Sequence, residues 1–280
     1  MNQEERRRFL IEELLQERPS CRRQEIPADT DRQKVLLRSL MNVRHPGAIS
    51  QRFLEVQDAY LQGELAAKKI TRLSELSPLQ NGIYLWRGDI TTLDCGAIVN
   101  AANSGMTGCY QPCHNCIDNC INTFAGVQLR LKCAEIMEQQ GYEEPTGQAK
   151  ITPAYNLPCD YVIHTVGPIV RGELTRQHCE LLKSCYRSCL ELADENNVGS
   201  IAFCCISTGI FMFPNDRAAE IAVQTVQEYK AETGSKIEVV FNVFKEQDER
   251  IYRKYPAGIR TAVHRRYSGG RKGNCICRRS

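Results

Sequence analysis

From Asn81 onward, short runs of β-branched and aromatic residues alternate with longer stretches of helical periodicity. The strand candidates are residues 83–87, 97–100, 148–152, 161–166, 200–204 and 236–243. Helical patterns fill 117–140, 176–196 and 216–233, with a short last one over 248–254. Strands that alternate with helices predict an α/β fold, a mainly parallel sheet covered on both faces. Ligands of such sheets sit beyond the carboxyl ends of the strands, so the loops there are where chemistry is sought.

The first seventy or so residues carry no such alternation. Phe9, Leu10, Leu14 and Leu15 recur at helical spacing, as do Val35, Leu36, Leu37, Leu40 and Met41, and then Phe53, Leu54, Val56, Tyr60, Leu61 and Leu65. Asp29-Thr30-Asp31 offers caps for the second stripe, while Pro27 and His45-Pro46-Gly47 break between stripes. No titratable cluster stands out there. The division expected is a helical N-terminal extension over 1–75, a core domain over 76–262, and a disordered basic tail over 263–280. Cys275 and Cys277 in that tail lack a second half for a metal site.

The net charge of +3 calls for neither a nucleic-acid nor a membrane partner. No apolar run is long enough to cross a bilayer, and no signal-peptide core follows the charged N-terminus, so the expected location is the cytoplasm. Fifteen cysteines in such a chain read as reduced thiols, some of them metal ligands, rather than as a disulfide framework. Outside one loop they sit in apolar stretches, as Cys204-Cys205 does after Ile201-Ala202-Phe203, and there they behave as small buried residues.

That loop is Gly108-Cys109-Tyr110-Gln111-Pro112-Cys113-His114-Asn115-Cys116, with Cys120 close behind. Thiolate and imidazole are zinc ligands, and no second pair lies at zinc-finger distance. A local set of three ligands leaves a position open for water or substrate, as a catalytic metal requires. Cys109, His114 and Cys116 are the expected ligands, with Cys113 and Cys120 in reserve. A nucleophilic cysteine is the rival reading, and a thiolate bound to zinc is already occupied. Asp118 and Asn119 are placed to cap the helix that starts near Ile117. Asp118 is also a candidate base, or an orienter of a metal ligand.

Three other loops follow strand candidates. Arg87-Gly88-Asp89-Ile90-Thr91 puts a carboxylate after a buried strand, as a turn cap or as an acceptor for a ligand amine. Asn100-Ala101-Ala102-Asn103 places two amides, suited to sugar hydroxyls or to a turn, around small residues. Ser207-Thr208-Gly209-Ile210-Phe211 joins a strand to a helix, where backbone N–H groups and a helix N-terminus can hold a diphosphate and Phe211 can stack on a ribose or base. His164 reads as a core histidine, and His45, His178 and His264 have no supporting neighbours.

In order, Gly88-Asp89-Ile90-Thr91, Ala97-Ile98-Val99-Asn100-Ala101-Ala102-Asn103, Pro145-Thr146-Gly147 and Ser207-Thr208-Gly209-Ile210-Phe211 resemble the ADP-ribose-binding macrodomain family across 79–244. Most of that family carries a glycine-rich loop after Asn103. The cysteine/histidine loop here resembles instead the zinc-containing microbial macrodomains, which also have an N-terminal helical extension. The resemblance implies a three-layer macrodomain with a mixed, mainly parallel sheet. It implies a zinc-dependent hydrolase that removes mono-ADP-ribose from modified protein side chains, expected to be aspartate or glutamate. It further implies that Asp89 and the Ile90 backbone hold adenine, that Asn103 addresses the distal ribose, that Asn100 also belongs to the ligand site, and that Ser207 through Phe211 wrap the diphosphate and proximal ribose. Asn103 and Asp118 would be the catalytic pair. That branch is often encoded beside a sirtuin-class ADP-ribosyltransferase and a lipoyl-carrier protein, the latter a candidate substrate. The rival functions are a reader module that binds ADP-ribose without cleavage and a zinc-stabilised nucleic-acid binder. The small charge and the lack of a basic stripe with interleaved aromatics argue against the last.

Overall fold

The computed structural model describes residues 1–18, 25–80 and 82–255; the tail expected over 263–280, with His264, Cys275 and Cys277, lies outside them. The extension forms three helices, α1 (Gln3–Gln16), α2 (Thr30–Val43) and α3 (Gln51–Ala66). Each starts where a polar side chain accepts from a backbone N–H of the first turn. Asn2 and Glu5 form a reciprocal capping box on α1, Asp29 caps α2 and Ser50 caps α3. Leu10, Leu14, Leu37, Leu40, Phe53 and Tyr60 bury one face of each helix in a core of their own. That core also takes Val127 from the following domain, so the extension is packed onto it. Val35, expected in the α2 stripe, is 58% exposed instead. The buried face of α2 runs through Gln33, Leu37, Leu40 and Met41, and Val35 falls off it.

The remaining elements are β1 (Thr71–Arg72), β2 (Pro78–Gln80), β3 (Ile83–Arg87), β4 (Leu93–Asp94), β5 (Ala97–Ala102), α4 (Ile117–Ala125), α5 (Val127–Gln140), β6 (Ala149–Pro153), β7 (Tyr161–Val166), α6 (Arg176–Glu195), β8 (Ser200–Phe203), α7 (Asn215–Thr233), β9 (Glu238–Val243) and α8 (Glu246–Tyr252). Seven strands form one sheet in the order β2-β3-β9-β8-β5-β7-β6. The inner pairings are parallel, and the edge strands β2 and β6 run antiparallel to their neighbours. Helices cover both sides, as a sheet whose central strands are buried at nearly every position requires. β1 and β4 pair separately. The three short strands β1, β2 and β4 were not among the strand candidates, because two or three residues carry no period of their own.

One expected element is split. The helical pattern over 117–140 is two helices, parted at Gly126 with φ 97°. That backbone region is open to glycine and strained for other residues. Among the described residues, no helix is long and apolar enough to cross a membrane.

Candidate active site

Strands β5, β7 and β8 end close together because β5 pairs in parallel with both. Their following loops therefore share one edge of the sheet. The register sets Asn100 of β5 directly beside His164 of β7. Both are fully buried. Asn100 Nδ2 lies 3.2 Å from His164 Nδ1 and donates to Asp118 Oδ1 at 2.8 Å. His164 Nε2 is 3.0 Å from Thr152 Oγ1. With no compensating charge nearby, burial pushes the His164 pKa down to about 4, so the ring is neutral at ordinary pH. A neutral ring accepts at Nδ1 from Asn100 and donates at Nε2 to Thr152. His164 is the satisfied core histidine its apolar neighbours implied.

Asp118 sits on the first turn of α4 at 5% exposure. Besides Asn100, Asn122 donates to Oδ1 at 3.1 Å and Asn103 to Oδ2 at 3.3 Å. Burial raises its pKa to about 6, against the pull of these donors and of Arg130. The helix cap expected of Asp118 or Asn119 falls to another residue. The helix begins at Ile117, and the Cys116 sulfur accepts from Asn119 N at 3.4 Å.

Asn103 stands at the exit of β5. Its Oδ1 accepts from Gly105 N at 3.0 Å, and its amide donates to the Gly108 carbonyl at 3.1 Å. The turn so formed leads into the cysteine/histidine loop. There Cys109, His114 and Cys116 bring ligand atoms within 4.8 Å of one another, all three partly exposed. Cys109 Sγ is 3.6 Å from His114 Nδ1. Burial, then the neighbouring Cys109 and Asp118, push the Cys116 thiol up to about 12. Zinc bonds of ~2.3 Å to sulfur and ~2.0 Å to nitrogen need ligand atoms about this close, so the donor set fits zinc. The reserves point elsewhere. Cys113 Sγ lies 3.1 Å from Ser39 Oγ and Cys120 Sγ 3.7 Å from an Arg38 nitrogen, both on α2.

At the same edge of the sheet, Asp89 follows β3. Its Oδ1 accepts from Thr91 N at 3.0 Å and Thr91 Oγ1 at 2.6 Å, capping the turn Ile90–Thr92. The side chain is partly exposed, with its second oxygen 3.8 Å from Lys68 Nζ. The cap uses Oδ1. Ile90 is buried. Ser207 through Phe211 form the loop after β8, closed by Phe213 N on the Ser207 carbonyl at 3.0 Å and Met212 N on Gly209 at 3.0 Å. Ser207 has φ 64° and a buried hydroxyl with no partner. Ile210 at 75% and Met212 at 71% exposure stand at the loop's tip. Val170 N holds the loop through the Phe211 carbonyl at 2.9 Å. A Cβ at Gly167 would lie 2.0 Å from Ser207 Oγ, so glycine lets the β7 end approach this loop with the Ser207 hydroxyl where it is.

The sequence marked Asn119 only as a possible cap and gave no sign of Arg130 or of the polar residues of α2. Asn119 is fully buried and donates to the carbonyls of Cys109 and Gln111. Arg130 lies 4.4 Å over the Tyr110 ring. The signal available was faint: an Asn or Arg at a helix position looks like any solvated face until the partner is known.

The Macro domain family matches residues 99–222. Over 258 residues the chain is 63% identical to a protein of Treponema medium named protein-ADP-ribose hydrolase, covering 91% of this chain and 99% of that protein. A protein of the same name from Staphylococcus aureus strain MSSA476 is 49% identical over 248 residues, covering 88% and 93%. Among solved structures, the Trypanosoma brucei macrodomain in complex with ADP-ribose superposes with a TM-score of 0.60 at 29% identity, covering 77% of this chain and 94% of that one.

Proposed function

This chain belongs to the Macro domain family, and on that premise we propose that it is a hydrolase releasing mono-ADP-ribose from modified proteins, with zinc held by Cys109, His114 and Cys116. The observation that carries the reading is the convergence of those three ligand atoms on the loop that Asn103 opens. ADP-ribose lies in the cleft with adenine at Asp89 and the Ile90 backbone. The loop from Ser207 through Thr208, Gly209 and Ile210 to Phe211 wraps the diphosphate and proximal ribose. Its buried Ser207 hydroxyl has donor and acceptor capacity to spare. The distal ribose and the bond to the acceptor lie at Asn103, beside the cysteine/histidine loop.

Zinc at that point supplies Lewis-acid polarisation of an oxygen of water or of the distal ribose. Asn103 orients the ribose. Asp118 is buried and filled by three amides, so it acts by holding Asn103 rather than by taking a proton from substrate. Asn100 holds Asp118 in turn. The acceptor side chain we favour is aspartate or glutamate, and a lipoyl-carrier protein modified by a sirtuin-class transferase is the substrate to try first. The setting we favour is the cytoplasm, where thiols stay reduced.

The test is release of ADP-ribose from a mono-ADP-ribosylated protein, followed with and without chelator. Release that stops on chelation and returns with zinc is expected. Tight ADP-ribose binding with no release under any metal condition would make the protein a reader module instead.

A further inference from the structure

Helix α2 lies outside the matched segment 99–222, yet its polar residues reach into the metal loop. Arg38 Nη2 donates to the His114 carbonyl at 2.8 Å and to Asn119 Oδ1 at 3.1 Å. A cation accepts nothing, so it fixes Asn119 with the oxygen toward α2. The Asn119 amide then faces the loop, donating to the carbonyls of Cys109 at 3.3 Å and Gln111 at 3.0 Å. One helical turn further, Asn42 Oδ1 accepts from Cys113 N at 2.9 Å, and its amide donates to Thr123 Oγ1 at 2.9 Å. Cys113 has φ 53°, a conformation disfavoured for a residue with a side chain. Asn42 thus holds the strained turn between Cys109 and His114. The helix is itself anchored. Arg130 of α5 donates to the carbonyls of Met41, Asn42 and Arg44 at its C-terminal end, at 3.1, 2.9 and 2.6 Å.

We propose that α2 is a positioning element of the metal centre, with Arg38 and Asn42 holding the loop in the shape that brings Cys109, His114 and Cys116 together. The inference rests on the zinc reading above. A loop preset in this way loses less conformational freedom when metal binds, so the effect falls on affinity. Outer partners of metal ligands commonly change affinity about 10- to 100-fold.

Cobalt(II) is the probe, titrated into metal-free full-length protein and read by its thiolate charge-transfer absorption, with zinc affinity measured by chelator competition. Arg38→Ala and Asn42→Ala should each weaken both about tenfold or more. Arg38→Lys keeps a cationic donor and should recover most of the loss. Arg8→Ala, which removes an exposed pair with Glu12 on α1, should change nothing. Circular dichroism and thermal unfolding of the metal-free proteins establish that each is folded. Arg38→Gln replaces Arg38→Ala where the latter is not. Unchanged metal affinity in folded Arg38 and Asn42 variants, with metal bound by the unsubstituted protein, overturns this inference alone. No thiolate–cobalt absorption in the unsubstituted protein overturns the zinc reading and this inference with it.

Discussion

Asn103 donates its side-chain amide to Asp118 Oδ2 at 3.3 Å, joining the exit of β5 to the first turn of α4. The carboxylate is thereby a receiver of three asparagine amides, from Asn100, Asn103 and Asn122, and its work is to fix their directions. Replacing Asp118 by alanine takes an acceptor from those donors and removes one of the three side-chain hydrogen bonds that hold Asn103. Turnover of an ADP-ribosylated protein should drop about 10- to 100-fold, mostly in kcat with little change in KM. Steady-state kinetics check this, and a variant that changed KM alone would show that Asp118 serves binding.

Chelation and Cys116→Ala should act alike. Both remove zinc from the proposed site, so release of ADP-ribose should be lost while calorimetric affinity for ADP-ribose stays within a few-fold. In the variant, added zinc should no longer raise the unfolding temperature, since only a ligand of the native state does so. Full activity in Cys116→Ala would remove that cysteine from the ligand set.

His164 makes stability depend on pH in a definite direction. Its folded pKa of about 4 lies below the ordinary value of 6.5. Between those values the unfolded chain binds a proton that the native protein refuses. Stability is therefore fully present above pH 6.5 and falls as pH drops toward 4, by about 3 kcal/mol from this one residue. His164→Gln, which does not titrate, should show a shallower fall. Urea unfolding at pH 7.5 and 4.5 compares the two, and parallel losses would contradict the assignment.

Gly167→Ala should weaken ADP-ribose binding without touching the metal loop. The added methyl would lie 2.0 Å from Ser207 Oγ and 2.9 Å from an Ile206 methyl, so the Ser207 side chain must turn from its present place or the loop after β8 shift with it. Overpacking of this kind costs about 1–3 kcal/mol in stability, and affinity should fall roughly tenfold for a comparable displacement of the binding loop. Calorimetry with ADP-ribose measures it, with zinc content expected to stay at the wild-type level.

Much of this molecule could be read from local order. The alternation after Asn81 predicted the sheet and its helices, because period in hydrophobicity depends only on which face a residue presents. The density of cysteine and histidine between Cys109 and Cys120 marked the loop on which Cys109, His114 and Cys116 come together in a group that could hold a metal ion. Local order could not assign each side chain its direction. Cys113 looks as good a ligand as Cys109 in the sequence, and it turns to Ser39 only because its backbone adopts φ 53° against Asn42. Asn100 meets His164 through a strand register 64 residues apart, and Arg38 meets His114 across 76. Those pairings come from how the extension and the sheet pack, which no short window of sequence contains. The chain itself determined that a thiol and imidazole cluster follows β5; tertiary packing decided which of its members converge, because an irregular loop takes its shape from what it is packed against.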